Sequence, residues 1–173
     1  MYFLSNILFL MVFAVAPLCA QVLEYEKRLD EVAERGAHAM PFDLEKTMHF
    51  FSKTRHGGIQ QVIAKDASDT EQIQRIRDHL MEISVEFRQG DFSKPEQIHG
   101  EDMPGLAALK SAGPDQISIE YRELPDGAQI NYFSRSPQLI EAIHQWFDAQ
   151  LHDHARHAIP GLQHDHNHGM HHE

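Results

Sequence analysis

The sequence predicts an α+β fold, with an antiparallel sheet of about four strands covered on one face by helices. Two pairs of alternating polar and apolar segments are each joined by a glycine-containing turn. Each pair precedes a segment whose apolar residues lie three and four positions apart, the spacing of an amphipathic helix. Because about 150 residues follow the first 20, we expect one domain with its own core.

The first 20 residues predict a secretory signal peptide. They contain no Asp, Glu, Lys or Arg, and residues 7–16 are an unbroken apolar run. Cleavage after Ala20 would remove Cys19, the only cysteine, and leave a periplasmic or secreted chain with no membrane span. A retained anchor and lipidation of Cys19 are alternatives, although Ser5 and Asn6 interrupt a stretch that needs about 20 apolar residues to span a bilayer.

The domain is predicted to cover residues 21–158, with a His-rich flexible tail over 159–173. A first helix to about Gly36 follows from apolar residues at 3, 4, 3 spacing: Val22, Tyr25, Leu29 and Val32. Strands are predicted over 47–53 and 59–65, with a turn between them. A capping box over 68–71 starts the next helix, whose apolar stripe is Ile73, Ile76, Leu80, Ile83 and Phe87.

The pattern then recurs. Strands over 116–123 and 128–133 flank a Pro-Asp-Gly turn, and Ser136 with Pro137 starts a helix whose stripe is Ile140, Ile143, Phe147 and Leu151. Between the units, the Gly- and Pro-rich segment 90–106 predicts an ordered loop. The recurrence suggests a duplicated β-β-α unit, although a hairpin followed by a helix is also a common local solution.

The net charge of −11, with histidines neutral, argues against nucleic-acid and anionic-membrane partners. No protein partner is indicated. The same acidity raises the local concentration of cations, which is compatible with metal handling.

The C-terminus predicts a metal-binding tail, because eight of the fourteen histidines lie in the last 22 residues. Neutral imidazole is a common ligand for divalent transition metals, so copper, zinc and nickel are the expected ions. A solubilising tail with incidental histidines is the alternative. The proposed ligands are His164, His166, His168, His171 and His172.

The last predicted helix offers a second candidate metal site. His144, Asp148 and His152 are four residues apart and share one helical stripe, with His154 near enough to join. A solvated helix face is the alternative interpretation.

Three further residues are candidates for a folded site. His99 and Met103, four residues apart beside two carboxylates, are a possible copper pair or an anchor for an ordered loop. His49 alternates with Met48 and Phe50, so it lies on the open face of the sheet if those two residues point into the core.

The motifs Met48-His49-Phe50, Ile98-His99-Gly100 to Leu106, and His144-Gln145-Trp146-Phe147-Asp148 resemble a family of small exported bacterial proteins. The resemblance covers most of residues 41–157. Many members end in His-rich tails, and many carry the label aspartate carbamoyltransferase. The positions of His49, His99, Met103, His144 and Asp148 match the family pattern.

Transcarbamoylase activity is not expected. The chain is too short for that two-domain fold and lacks its Ser-Thr-Arg-Thr phosphate loop. It also has no nucleophile elbow, phosphate loop or His-Glu-x-x-His helix. We therefore expect an exported metal-binding protein that scavenges or buffers copper, zinc or nickel. The alternatives are a non-catalytic interaction module and a metal-assisted hydrolase built on His49, His99 and His144.

Overall fold

A computed structural model describes residues 5–161, with side chains from residue 20 onward. The helices in this part are α1 (Ser5–Ala39), α2 (Thr70–Arg88), α3 (Ser93–His99), α4 (Leu106–Lys110) and α5 (Pro137–Asp153). The strands are β1 (Thr47–Thr54), β2 (Gly57–Ala64), β3 (Ile117–Leu124), β4 (Gly127–Ser134) and β5 (Ala158–Pro160).

The five strands form one sheet in the order β3-β4-β2-β1-β5. The α+β class is confirmed, but the expectation of four antiparallel strands needs correction, because β5 pairs parallel with β1 and makes the sheet mixed. The backbone N–H of His49 donates to the carbonyl of His157 at 2.8 Å, and that of Gly161 donates to Phe51 at 3.1 Å. An edge strand has backbone groups free for such pairing, and here the start of the predicted tail satisfies them.

The two β-β-α units are arranged around the antiparallel pairing of β2 with β4. Helix α2 packs mainly on β3 and β4, and α5 packs mainly on β1 and β2, so each helix covers strands of the other unit. The hairpins have two-residue turns, and each second strand begins with a glycine close to the other unit. A Cβ on Gly57 would lie 2.1 Å from the Tyr132 carbonyl oxygen, and one on Gly127 would lie 2.0 Å from that of Val62.

Both helices cover the same face of the sheet, where alternate residues of the strands are buried. Four residues of the predicted helical stripes, Ile76, Leu80, Ile143 and Phe147, are buried, and so is Ile119 of the alternating segment that forms β3. In β1 the buried face carries Thr47, His49 and Phe51. The positions of Met48 and Phe50 are therefore opposite to the assumption made from sequence: they lie on the open face and His49 points into the core.

Two regions differ in detail from the sequence expectations. Segment 90–106, expected as a loop, contains α3 and the start of α4, because apolar residues such as Ile98 and Leu106 are buried on short helical turns. Helix α1 is continuous from Ser5 to Ala39, so it passes through the predicted cleavage position. Among the described helices, none combines the length and apolar character needed to cross a membrane.

Candidate functional site

Three histidines from distant parts of the chain meet beneath the helical layer. His49 lies in β1, His99 is the last residue of α3, and His154 caps the C-terminus of α5. Each is at most 5% exposed. The Nε2 atoms of His99 and His154 are 3.2 Å apart, and the ring centres of His49 and His154 are 5.5 Å apart. We call these three residues the histidine cluster.

A buried carboxylate orients the cluster. Asp153 Oδ2 accepts a hydrogen bond from Nδ1 of His99 at 2.9 Å, which leaves the Nε2 lone pair of His99 facing His154. Arg28 on α1 donates from Nε and Nη2 to the two oxygens of Asp153, at 2.8 and 2.7 Å. Burial opposes ionisation of Asp153, but the hydrogen bonds from His99 and Arg28 outweigh it and hold the carboxyl pKa below its usual range. The cluster therefore includes a fixed anionic partner.

Two more buried histidines flank the cluster. Nε2 of His157, in the turn leading to β5, lies 3.3 Å from Glu45, while its Nδ1 has no hydrogen-bond partner. His79 of α2 lies edge-on to Phe42, with 5.6 Å between ring centres. Nε2 of His49 is also buried without a partner. Unpaired nitrogens of this kind are uncommon in protein interiors and call for an explanation.

Burial keeps three imidazoles of this region neutral. Burial, together with the neighbouring histidines His157, His79 and His99, lowers the pKa of His49 to about 3. Burial is also the main cause that lowers the pKa of His79 to about 4 and the pKa of His154 well below its ordinary value. Neutral imidazole is the form that can bind a metal ion.

The cluster borders a cavity of about 40 Å³ between α2, α5 and the sheet. One water needs roughly 10–15 Å³ by this measure, so the cavity has room for a few atoms. Its walls are mainly apolar or aromatic, and the histidine cluster, His79, Gln60, Gln150 and Trp146 provide polar groups. Trp146, Gln150 and His154 are four residues apart on α5 and therefore line the cavity along one stripe.

The structure does not bring His144, Asp148 and His152 together as a ligand set. Nε2 of His144 lies 2.9 Å from the carbonyl of Gly57 and 3.0 Å from that of Thr54, and so caps the β1–β2 turn. Asp148 pairs with Lys53, with 2.6 Å between Lys53 Nζ and Asp148 Oδ2. The ring of His152 lies 4.6 Å from that of Tyr25, centre to centre. A shared metal at this stripe stays a prediction, with all three side chains already engaged elsewhere.

The other predicted ligands are divided. His49, His99 and His154 meet in the cluster. Met103 is buried in the hydrophobic core and is not one of the residues that line the cavity, so the structure does not join it to His99 as a copper pair. The tail ligands His164, His166, His168, His171 and His172 lie outside the described residues.

Sequence reasoning missed Asp153, His157 and Arg28. The apolar stripe predicted for α5 ends at Leu151, whereas burial on the inner side of this helix continues through Asp153 to His154. Nothing local marks Arg28, because its partner is 125 residues away.

One signal in the sequence could have identified the end of α5. The buried residues Ile143, Trp146 and Gln150 are separated by steps of three and four. A further step of three or four from Gln150 reaches Asp153 or His154, which places both residues on the inner face.

Among the side chains that the structure describes, those of residues 20–161, no group of three or more His, Cys, Asp or Glu residues is placed so that it could hold a metal ion. Comparison of the chain with protein-family models, with curated proteins and with solved structures found no match. The resemblance to small exported bacterial proteins therefore stays a prediction, and the residues of the cluster carry the functional argument.

Proposed function

We propose that this protein is an exported metal-binding protein that takes up a divalent copper, zinc or nickel ion at the histidine cluster. The observation that carries the proposal is the 3.2 Å separation between Nε2 of His99 and Nε2 of His154. Two nitrogens bound at 2.0–2.1 Å to one tetrahedral ion lie roughly 3.3 Å apart. An ion between these rings would replace their hydrogen bond, and the proton of His154 would move from Nε2 to Nδ1 so that both Nε2 lone pairs could face the ion.

His49 is the third proposed ligand. Its Nε2 atom is buried without a hydrogen-bond partner, its ring is beside His154, and its side chain lines the same cavity. A rotation of the His49 side chain toward the His99–His154 pair would complete a three-nitrogen set. Binding of a metal would also offset the cost of leaving this nitrogen unpaired.

The surroundings of His99 match what metal-ligating histidines commonly have. Asp153 accepts from the Nδ1 side of the ring, which orients Nε2 and makes the ring more basic. Arg28 holds both oxygens of Asp153, so α1 contributes to the site through the carboxylate. Replacing Arg28 is therefore expected to weaken metal affinity without removing a ligand.

The His-rich tail is proposed as a second, exchangeable set of ligands. It follows β5, whose Ala158 pairs with His49, and His164 comes three residues after Gly161. Several interchangeable imidazoles raise the effective concentration of metal near the cluster. Export, inferred from the first 20 residues, would place this activity in the periplasm or outside the cell.

The test is a calorimetric titration of Cu(II), Zn(II) and Ni(II) into the protein and into three variants. The cluster variant is His99→Ala with His154→Ala, and the tail variant replaces the five histidines His164, His166, His168, His171 and His172 by Ala. A matched control replaces the exposed His38 and His56. We expect the tail variant to retain one site, the cluster variant to lose it, and the control to bind like the parent.

Circular dichroism must first show that each variant is folded. Equal stoichiometry and affinity in the parent and the cluster variant would contradict a folded site and leave the tail as the binding element. No binding to any of the four proteins would end the metal-binding proposal.

Metal-assisted hydrolysis is a second candidate function. A three-nitrogen site leaves one position for water, and the cavity beside the cluster has room for it. The hydrolase predicted from sequence used His144, but that ring is engaged with the β1–β2 turn, so His154 takes its place in this proposal. Hydrolysis of an activated ester by the zinc-loaded protein, lost in the cluster variant, would support it.

An interaction module is the third candidate. The sheet face away from the helices presents apolar side chains, including Phe133 and Ile159, each 44% exposed. A Phe133→Ser variant would test this role. If that variant loses a protein partner but still binds metal, partner binding and metal binding are separate functions.

A further inference from the structure

We propose that the cavity beside the histidine cluster is a binding site for a small uncharged organic molecule that carries one hydrogen-bond-accepting oxygen, such as a carbonyl or a hydroxyl. This inference goes beyond metal binding and does not depend on it. It rests on the buried and unpaired hydrogen-bond donor of Trp146, a residue that lines the cavity, and on the character of the other lining residues.

The donor is the indole N–H of Trp146. Trp146 is 1% exposed and lines the cavity, and its Nε1 atom has no hydrogen-bond partner. Indole nitrogen is a donor only, so the group that satisfies it must be an acceptor. A buried donor left unpaired destabilises the fold by an amount that a ligand oxygen would recover.

The ring of Trp146 is held firmly. It packs edge-on against Phe87 and Phe92, with ring centres 5.8 and 5.9 Å away, and against Tyr132 at 5.5 Å. The hydroxyl of Tyr132 donates to Oε1 of Gln60 at 2.8 Å, so that neighbour is already satisfied. A ligand would therefore meet a preformed donor, which reduces the entropy lost on binding.

The walls favour an uncharged ligand. Apolar or aromatic side chains form most of the lining, among them Val62 of the sheet and Leu80 and Ile83 of α2. Among the described residues of the lining, the one lysine is Lys94, and its ammonium lies 3.0 Å from Glu82 and 2.9 Å from Glu86. An ionised ligand would lose its hydration without gaining a free partner of opposite charge.

The cavity volume of about 40 Å³ suits a molecule of a few non-hydrogen atoms. Acetone and acetate are matched probes, because both are planar with four non-hydrogen atoms and differ in charge. A ligand of this size has few contacts, so we expect a dissociation constant in the millimolar range for acetone.

The experiment uses the whole protein, labelled with ¹⁵N and kept metal-free with EDTA. Trp146 is the only tryptophan, so the indole N–H gives a single NMR signal. Acetone should move that signal downfield in a saturable way, whereas acetate at the same concentrations should not. In Trp146→Phe, which keeps an aromatic ring, acetone binding followed by the methyl signals of Val62 and Leu80 should weaken at least tenfold.

Two results would overturn the inference. If acetone leaves the indole signal unchanged, the donor does not meet the ligand and the cavity is not a site for it; a contact of that signal with a long-lived water would identify solvent as the partner. If acetone and acetate produce equal saturable shifts, the cavity does not select uncharged molecules. The indole shifts with acetone and with acetate are both measured on the unmodified protein, so these results do not depend on the folding of the Trp146→Phe variant. Because metal is absent, failure here leaves the proposed metal site untouched.

Discussion

The inner and outer stripes of α5 carry the same residue types but have different surroundings. The outer stripe has His144, Asp148 and His152, and the inner side has Asp153 and His154. Side chains on the outer stripe make separate contacts with a turn, a lysine and a tyrosine. Those on the inner side share a network with His99 and Arg28. Regular spacing along a helix therefore says less about a site than the residues that the rest of the fold brings to it.

The largest expected effect is the response to acidification of the buried histidines around the cavity, which faces the inner side of α5. Unfolded histidines protonate near pH 6.5, whereas the pKa of folded His79 is about 4 and that of His49 about 3. Between these values the unfolded chain binds more protons, so the free energy of unfolding falls as pH decreases from 6.5 toward 4. Each of these two histidines should lower the free energy of unfolding by about 1.4 kcal/mol for each pH unit of acidification.

The measurement is urea unfolding of the metal-free protein at pH 7, 6, 5 and 4. His79→Gln should flatten the dependence of the free energy of unfolding on pH. A free energy of unfolding that stays constant over this range would show that His79 and His49 are not buried and neutral.

The next largest effect should be the difference in free energy of unfolding between the variants Asp153→Asn and Asp148→Asn. Asp153 has a side chain 2% exposed and holds both His99 and Arg28, so losing its charge should lower the free energy of unfolding by about 2–3 kcal/mol. The side chain of Asp148 is 61% exposed, and its pair with Lys53 should contribute below about 1 kcal/mol. Equal losses from denaturant unfolding would contradict the assignment of inner and outer sides.

The smallest effect should distinguish two residues within the outer stripe. His144→Ala removes the ring that bonds to the Thr54 and Gly57 carbonyls, and we expect a loss of about 1 kcal/mol. His152→Ala removes a ring that is largely in solvent, and we expect a change of less than about 0.5 kcal/mol. Thermal unfolding at pH 7.5 would compare them, and identical midpoints would mean that the turn contact contributes nothing.

Local patterns were sufficient to predict much of the fold. Alternation and turns identified both hairpins, Ser136 was identified as the cap of α5, and helical spacing identified core residues that are buried. The predicted capping box started α2 one residue early, because Asp69 and not Ser68 caps that helix by accepting from the backbone N–H of Gln72. These features depend on contacts between residues that are close in sequence, so a short segment is enough to predict them. The same locality led to the choice of His144, Asp148 and His152, since regular spacing was the available signal.

The sequence by itself determined the α+β class, the two β-β-α units and an abundance of imidazole. Only the tertiary structure decided which imidazoles meet. His49, His99 and His154 are 50 or more residues apart in sequence, and they meet because β5 pairs with β1 and because Asp153 joins α3, α5 and α1. Such contacts depend on the packing of whole elements, and no spacing along one segment encodes them.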